Sequence, residues 1–247
     1  MYQGHRVSAI ITCAGKGTRF GSNKLLVTID DVTVIERTVR AFDLPIIDEV
    51  IVTVSAEHEE TYRRILIDEA GLDVTFVLGG AERHLSAMNG LAATNGDIVL
   101  THDGVRPFVT PDLIEAVVAA SIEHGAAMLG LPSTVQVKLV NDEGFVDGSL
   151  DRAHSWLGQT PQGFQRPLLE TAYQRAIASE YARVSDDADL VAEFAEVPAR
   201  IIAGHANNIK ITTPQDLGTA RLIAAHRLEA ENDAESADSS ASAAELR

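Results

Sequence analysis

The amino-acid sequence predicts an α/β fold, a mostly parallel twisted sheet flanked by helices. Short β-branched runs alternate with helical patterns, and the first of those runs opens directly into a glycine-rich loop. With 247 residues, 45% of them hydrophobic, the chain is long enough to cover such a sheet on both faces.

In chain order, Val7 to Thr12, Glu49 to Val54, Val74 to Leu78 and Ile98 to Thr101 read as buried strands, each followed by turn signals. Helical patterns fall between them at Val34 to Phe42, Glu57 to Glu69 and His84 to Ala93. From Pro132 to Val146 apolar and polar residues alternate and run on through Asn141, Asp142, Glu143 and Gly144, which predicts a hairpin-like arm over about 133–152. Exposed strand edges on such an arm are better covered by a second copy of the chain, so a homodimer is expected. Helices are expected at Pro167 to Ser179 and Asp186 to Phe194, a late strand at Ile209 to Thr212, and a last helix from about Pro214. One domain over 1–228 accounts for these elements. The remainder, 229–247, is Ala, Ser, Glu and Asp with six acids against one arginine, and is expected to be disordered.

The net charge of −16 argues against a broad nucleic-acid footprint, so an anionic substrate must meet a local cluster of cations. No apolar stretch is long enough for a bilayer, and since Met1 to Arg6 leads straight into the first strand no signal peptide is expected. Cys13 is the only cysteine, which points to a reducing, cytoplasmic location.

The loop Ala14-Gly15-Lys16-Gly17-Thr18-Arg19-Phe20-Gly21, with Lys24 shortly after, is a candidate phosphate nest. Gly15 and Gly17 let backbone N–H groups turn toward an anion, and Arg19 and Lys24 add full charges. The loop lacks the Gly-Lys-Ser/Thr ending of a Walker loop and the third glycine of a dinucleotide fingerprint. Asp103, just past an apolar strand, is placed where a carboxylate can hold a hard cation against bound phosphates. Arg106 lies three residues on, and Lys210 sits on a late apolar segment where an unpaired ammonium would be costly. His102 neighbours Asp103 but should point the other way, in a structural role.

The glycine loop resembles the signature of nucleotidyltransferases that activate sugars and polyol phosphates as nucleoside diphosphates. Gly79-Gly80-Ala81-Glu82-Arg83 with Ser86, Thr101 to Pro107, Gly158 to Gln162, Ser185 to Ala188 and Asn208 to Thr212 follow in the order of one family. Together they resemble the polyol-phosphate cytidylyltransferases, which act on methylerythritol 4-phosphate or ribitol 5-phosphate. That resemblance implies a Rossmann-like nucleotidyltransferase fold with a dimerising β-arm, CTP and a polyol phosphate as substrates, and Mg²⁺ held at Asp103. It assigns Ala14, Gly15, Lys16, Gly17, Gly80, Arg83 and Ser86 to CTP, and Asp103, Arg106, Arg152 and Lys210 to the acceptor. Arg152 would reach a neighbouring subunit's site. Arg19, Lys24 and Lys210 would stabilise the charge that grows during transfer. Cys13 stands where a smaller residue is usual and reads as a packed strand end. Ser185 stands where threonine is usual, and its stretch equally suits a helix cap. Either Thr134 or Gln136 falls where an acceptor contact is expected. Local motif similarities tilt the acceptor to ribitol 5-phosphate, with methylerythritol 4-phosphate as the alternative. A uridylyl- or guanylyltransferase and a non-catalytic nucleotide-binding module are the rival readings.

Overall fold

The computed structural model describes residues 1–15, 20, 23–80, 82–179 and 186–229. The expected acidic tail therefore lies, from residue 230, outside the described residues. In chain order the strands are β1 (Val7–Thr12), β2 (Thr28–Ile29), β3 (Val32–Thr33), β4 (Glu49–Val54), β5 (Thr75–Leu78), β6 (Ile98–Asp103), β7 (Ala126–Pro132), β8 (Lys138–Val140), β9 (Val146–Ser149), β10 (Trp156–Gln165) and β11 (Arg200–Ala203). The helices are α1 (Val34–Arg40), α2 (Glu59–Arg63), which runs on into a π-helical segment at Arg64–Glu69, α3 (Arg83–Ala93), α4 (Pro111–His124), α5 (Arg166–Ala178) and α6 (Asp187–Phe194). A further helical stretch covers 216–229.

Seven strands form one sheet in the order β11-β7-β10-β6-β1-β4-β5. Four neighbouring pairs are parallel, β1 with β4 and β6, β4 with β5, and β7 with β11. Among the described residues, β10 alone in this sheet runs antiparallel, against both β6 and β7. The strand alternation sorts the core into two layers. Val7, Ala9 and Ile11 pack with α1 and α4 residues such as Ile35 and Val117, whereas Ile10, Ile51 and Val99 pack with Leu91 of α3, Leu169 of α5 and Val191 of α6. β1 lies between β6 and β4, so the chain leaves it in two directions and opens a crevice at its carboxyl end.

One expected strand is corrected. Ile209 to Thr212 joins no ladder; the Ile211 N–H donates instead to the Val105 carbonyl at 2.9 Å, so the segment crosses the end of β6. Its β-branched residues serve burial, since Ile211 is wholly buried in the core. The arm exists as β8 and β9, an antiparallel hairpin every residue of which is exposed. Val140, Phe145 and Val146 on it are each more than 60% exposed. No helix among the described residues is long and apolar enough to cross a membrane.

Candidate active site

A cleft of about 280 Å³ opens at the carboxyl ends of β1, β5 and β6, lined among others by Ala14, Gly15, Lys24, Gly80, Arg83 and Lys210. Lys16, Gly17 and Arg19 lie outside the described residues, as does Ser185. On the near side of the loop, the Asn23 side chain accepts from the Leu25 N–H at 3.1 Å and caps the 3₁₀ turn that carries Lys24. Asn23 is itself held by Tyr62, whose hydroxyl receives its amide at 2.8 Å. Lys24 Nζ donates to the Ile211 carbonyl at 2.8 Å, which ties the glycine-loop side to the segment bearing Lys210.

The opposite wall is the Gly79-Gly80 turn. A Cβ at Gly79 would fall 2.3 Å from the Ala14 Cβ, so only glycine there allows the two loops to approach, and one at Gly80 would fall 2.2 Å from the Leu85 Cβ, so only glycine lets the turn close on α3. Ser86 is buried and locks this turn: the Gly80 N–H donates to its hydroxyl at 3.1 Å, and the hydroxyl donates to the Glu82 carbonyl at 3.1 Å. The wall so formed presents backbone groups and a hydroxyl, the chemistry that reads a nucleobase edge.

Asp103 is the centre of the charge cluster. Its carboxylate receives Arg83 Nε at 3.1 Å, Arg106 Nε at 3.3 Å and Lys210 Nζ at 2.9 Å. Burial alone would push its pKa up, but Arg83, Lys210 and Arg106 together hold it well below the ordinary carboxylate range. Arg106 is 8% exposed and donates also to the Asn208 and Gly158 carbonyls, so it stands behind Asp103 rather than on the cleft wall. For Arg83, burial opposes the charge, yet Asp187 and then Asp103 raise its pKa.

His102 faces the other core layer, against Phe42 with ring centroids 4.8 Å apart. Its Nε2–H donates to the Arg106 carbonyl at 3.1 Å and its Nδ1 accepts from the Thr160 hydroxyl at 3.0 Å, an arrangement that needs the neutral ring. Burial accordingly pushes its pKa down to about 3. The Thr160 oxygen in turn receives the Asp103 N–H at 3.1 Å, so His102 braces the backbone that aims Asp103. Cys13 is buried, and burial, with Asp103 nearby, pushes its thiol pKa up, which leaves it unreactive.

Arg152 lies on the arm in a 3₁₀ turn, Arg152–His154, and does not line the cleft. Thr134 and Gln136 are exposed at the base of the arm, with the Gln136 amide donating to the Leu150 carbonyl at 2.8 Å. Asn23 and Tyr173 are not singled out from the sequence, and Thr101 and Asp187 figure there only as motif members, without the roles they take here. Asn23, next to a candidate cation and followed by an apolar pair, carried a readable cap signal; the other three show their role only through burial.

A family model described as 2-C-methyl-D-erythritol 4-phosphate cytidylyltransferase matches residues 7–226. The chain is 39% identical over 225 residues to the enzyme of that name from Pelotomaculum thermopropionicum, covering 88% of this chain and 94% of the relative. It is 40% identical over 225 residues to that of Syntrophotalea carbinolica, covering 88% and 95%. Among solved structures, the 4-diphosphocytidyl-2C-methyl-D-erythritol synthase of Anaerococcus prevotii superposes with a TM-score of 0.79 at 32% identity, covering 89% of this chain and 98% of that one. The cytidylyltransferase of Thermus thermophilus gives 0.74 at 33% identity over 89% and 98%. The tilt toward ribitol 5-phosphate finds no support here, because each of these relatives is named for the methylerythritol acceptor or its product.

Proposed function

The chain belongs to the 2-C-methyl-D-erythritol 4-phosphate cytidylyltransferase family, a family of nucleotidyltransferases, and from that premise we propose that it transfers CMP from CTP to 2-C-methyl-D-erythritol 4-phosphate. The observation that carries this reading is the convergence of Arg83, Arg106 and Lys210 on Asp103, beside Lys24, in a chain of net charge −16. Such a cluster, placed at the crevice of the sheet in an acidic protein, supports the binding of two phosphorylated substrates.

A phosphate oxygen of the acceptor attacks the α-phosphorus of CTP, forming a new O–P bond as the bond to the β-phosphate oxygen breaks and pyrophosphate leaves. The protein needs no nucleophile of its own. Positioning and charge neutralisation suffice, with Arg19, Lys24 and Lys210 offsetting the developing charge. The Gly79-Gly80 turn and Ser86 hold the cytosine, and Arg106 steadies Asp103 toward the acceptor.

Mg²⁺ fits this site. Among the described residues no group of three or more His, Cys, Asp or Glu side chains forms a metal cage, but Mg²⁺ takes most of its ligands from phosphates and water and asks for only one or two carboxylates. Asp103, with Glu82 also on the cleft wall, would hold it, and the ion would supply further neutralisation of the triphosphate.

The arm supports a homodimer: its exposed Val140, Phe145 and Val146 are apolar enough to seek cover from a second copy. Arg152 would then lie near the partner's acceptor site. The test is pyrophosphate release from CTP, UTP or GTP with each polyol phosphate, the product being identified by mass. The reading expects CTP with methylerythritol 4-phosphate to give the highest kcat/KM. An equal or higher value with ribitol 5-phosphate overturns the acceptor, and the absence of release with any nucleotide overturns the transferase reading in favour of a binding module.

A further inference from the structure

Asp187 lies behind the cleft wall and is 1% exposed. Its carboxylate accepts from Arg83 Nη1 at 2.8 Å, from the Thr101 hydroxyl at 2.8 Å and from the Tyr173 hydroxyl at 2.6 Å. Burial opposes its ionisation, but Arg83, followed by the Tyr173 and Thr101 bonds, keeps its pKa below the ordinary range. A buried carboxylate is an expensive way to fill space. Ala172, Ala176 and Leu190 fill the same core layer without charge. Helix capping does not explain it either, because the neighbouring Asp186 already caps α6 by accepting from the Asp189 N–H at 3.0 Å.

What Asp187 does meet is Arg83. That guanidinium is gripped by Asp103 on Nε and by Asp187 on Nη1, while its Nη2 is buried with no hydrogen-bond partner among the described residues. Two grips on different nitrogens fix the guanidinium plane, and one alone would let it turn about its last side-chain torsion. Three elements hold the second grip in place. Thr101 comes from β6 and Tyr173 from α5, and Gln162 on β10 docks α6 by donating to Asp186 at 2.8 Å and accepting from the Ala188 N–H at 3.1 Å.

We propose that Asp187 is a positioning residue of the transfer reaction: it acts through Arg83, whose plane it fixes so that Nε stays on Asp103 and the cleft presents one set cation to the substrates. This rests on the transferase reading above and names a further determinant of that site.

The experiment is a double-mutant cycle between Asp187→Asn and Arg83→Gln, read as kcat with CTP and the acceptor alongside the thermal midpoint of each protein. Asp187→Asn should lower kcat about 10- to 100-fold, and in the Arg83→Gln background by less than about twofold, since the residue through which it acts is gone. An equal factor in both backgrounds, or normal kcat in folded Asp187→Asn, overturns the proposal. If Asp187→Asn does not fold, Tyr173→Phe keeps the charge and removes one strut; it should give a smaller loss that also vanishes beside Arg83→Gln, and a loss that persists there overturns the proposal. A third readout does not depend on turnover. The Arg83 Nε–H resonance, assigned by its absence in Arg83→Gln, should exchange slowly with solvent in the wild type and at least tenfold faster in Asp187→Asn or Tyr173→Phe. Unchanged exchange overturns the proposal even if the substrates prove to be others, whereas a wild type that exchanges slowly yet releases no pyrophosphate counts against the transferase reading alone.

Discussion

Replacing Asp103 by asparagine tests the electrostatic reading of the site without changing its shape. Asp103 and Arg106 side chains are 8% and 9% exposed, whereas Lys210 is 40% exposed. The Lys210 pair is therefore largely screened and contributes at most about 1 kcal/mol to stability. The larger loss comes from Arg106, which keeps only carbonyl partners for a buried charge, and from Arg83, which keeps Asp187. Removing one partner of a buried pair costs about 3–5 kcal/mol, and since asparagine still accepts one hydrogen bond the lower end applies, about 3 kcal/mol. For a chain of this length that lowers Tm by about 6–12 °C.

The same substitution has a pH signature. The folded-state pKa of Asp103 is depressed, so its stabilisation is fully present above the unfolded carboxylate value of about 3.9 and is lost as pH falls through that value toward the folded one. The wild type and Asp103→Asn should thus differ in Tm by a constant amount from about pH 7 to 5 and converge below about pH 4. Differential scanning calorimetry across that range measures both quantities. A difference under about 2 °C at pH 7, or one that widens in acid, would refute the claim that Asp103 is held ionised by its three cations.

Lys24→Ala should cut kcat by about 10²–10³-fold, because the ammonium offsets charge that grows during transfer, with a smaller effect on Tm from losing its bond to the Ile211 carbonyl and its attraction to Asp216; near-normal turnover in the folded variant removes Lys24 from the mechanism. Gly79→Ala drives a methyl group to 2.3 Å from the Ala14 Cβ and should raise the KM for CTP several-fold at about 1–3 kcal/mol of strain, an effect that unchanged steady-state kinetics would disprove. The full chain should sediment as a dimer at micromolar concentration, and deleting the hairpin tip, 139–147, should release monomers of low activity; a monomeric wild type would contradict the role given to the arm.

The sequence was most legible where hydrophobic periodicity and structure coincide. Strands β1 and β4 have the bounds their β-branched runs suggest, and α3, α5 and α6 lie within a residue or two of their patterns. β6 runs two residues beyond its apolar run because His102 and Asp103, polar and loop-like on paper, find buried partners. β10 carries the Gly158 to Gln162 motif on a strand that Gly158, Pro161 and Gly163, poor strand formers, disguise; register with β6 and β7 overrides that preference. Ile209 to Thr212 is the converse, strand-like residues that serve burial outside any ladder. Of the cations singled out, Lys24, Arg83 and Lys210 line the cleft because they follow a glycine loop, open a helix or cross a strand end, whereas Arg106 stands behind the wall and Arg19 lies outside the described residues. Asp187 was not legible, for nothing in the local sequence separates it from Asp186; one caps a helix at the surface and the other meets an arginine in the core.

Carboxylates at a site proposed to take polyphosphates look counterproductive until the charges are followed outward. Arg83, Arg106 and Lys210 against Asp103 and Asp187 leave one positive charge; Lys24 on the facing wall adds another and Glu82, also on the wall, offsets one. A cluster of unpaired cations would bind triphosphate and pyrophosphate alike and repel itself when empty, whereas cations already paired with buried carboxylates are fixed in direction before any substrate arrives. Their alignment then requires no reorganisation as charge develops at the α-phosphorus, which is where electrostatic preorganisation acts. The −16 net charge supplies the complementary half: outside the cleft the field disfavours polyanions, so discrimination rests on the few groups the fold aims inward.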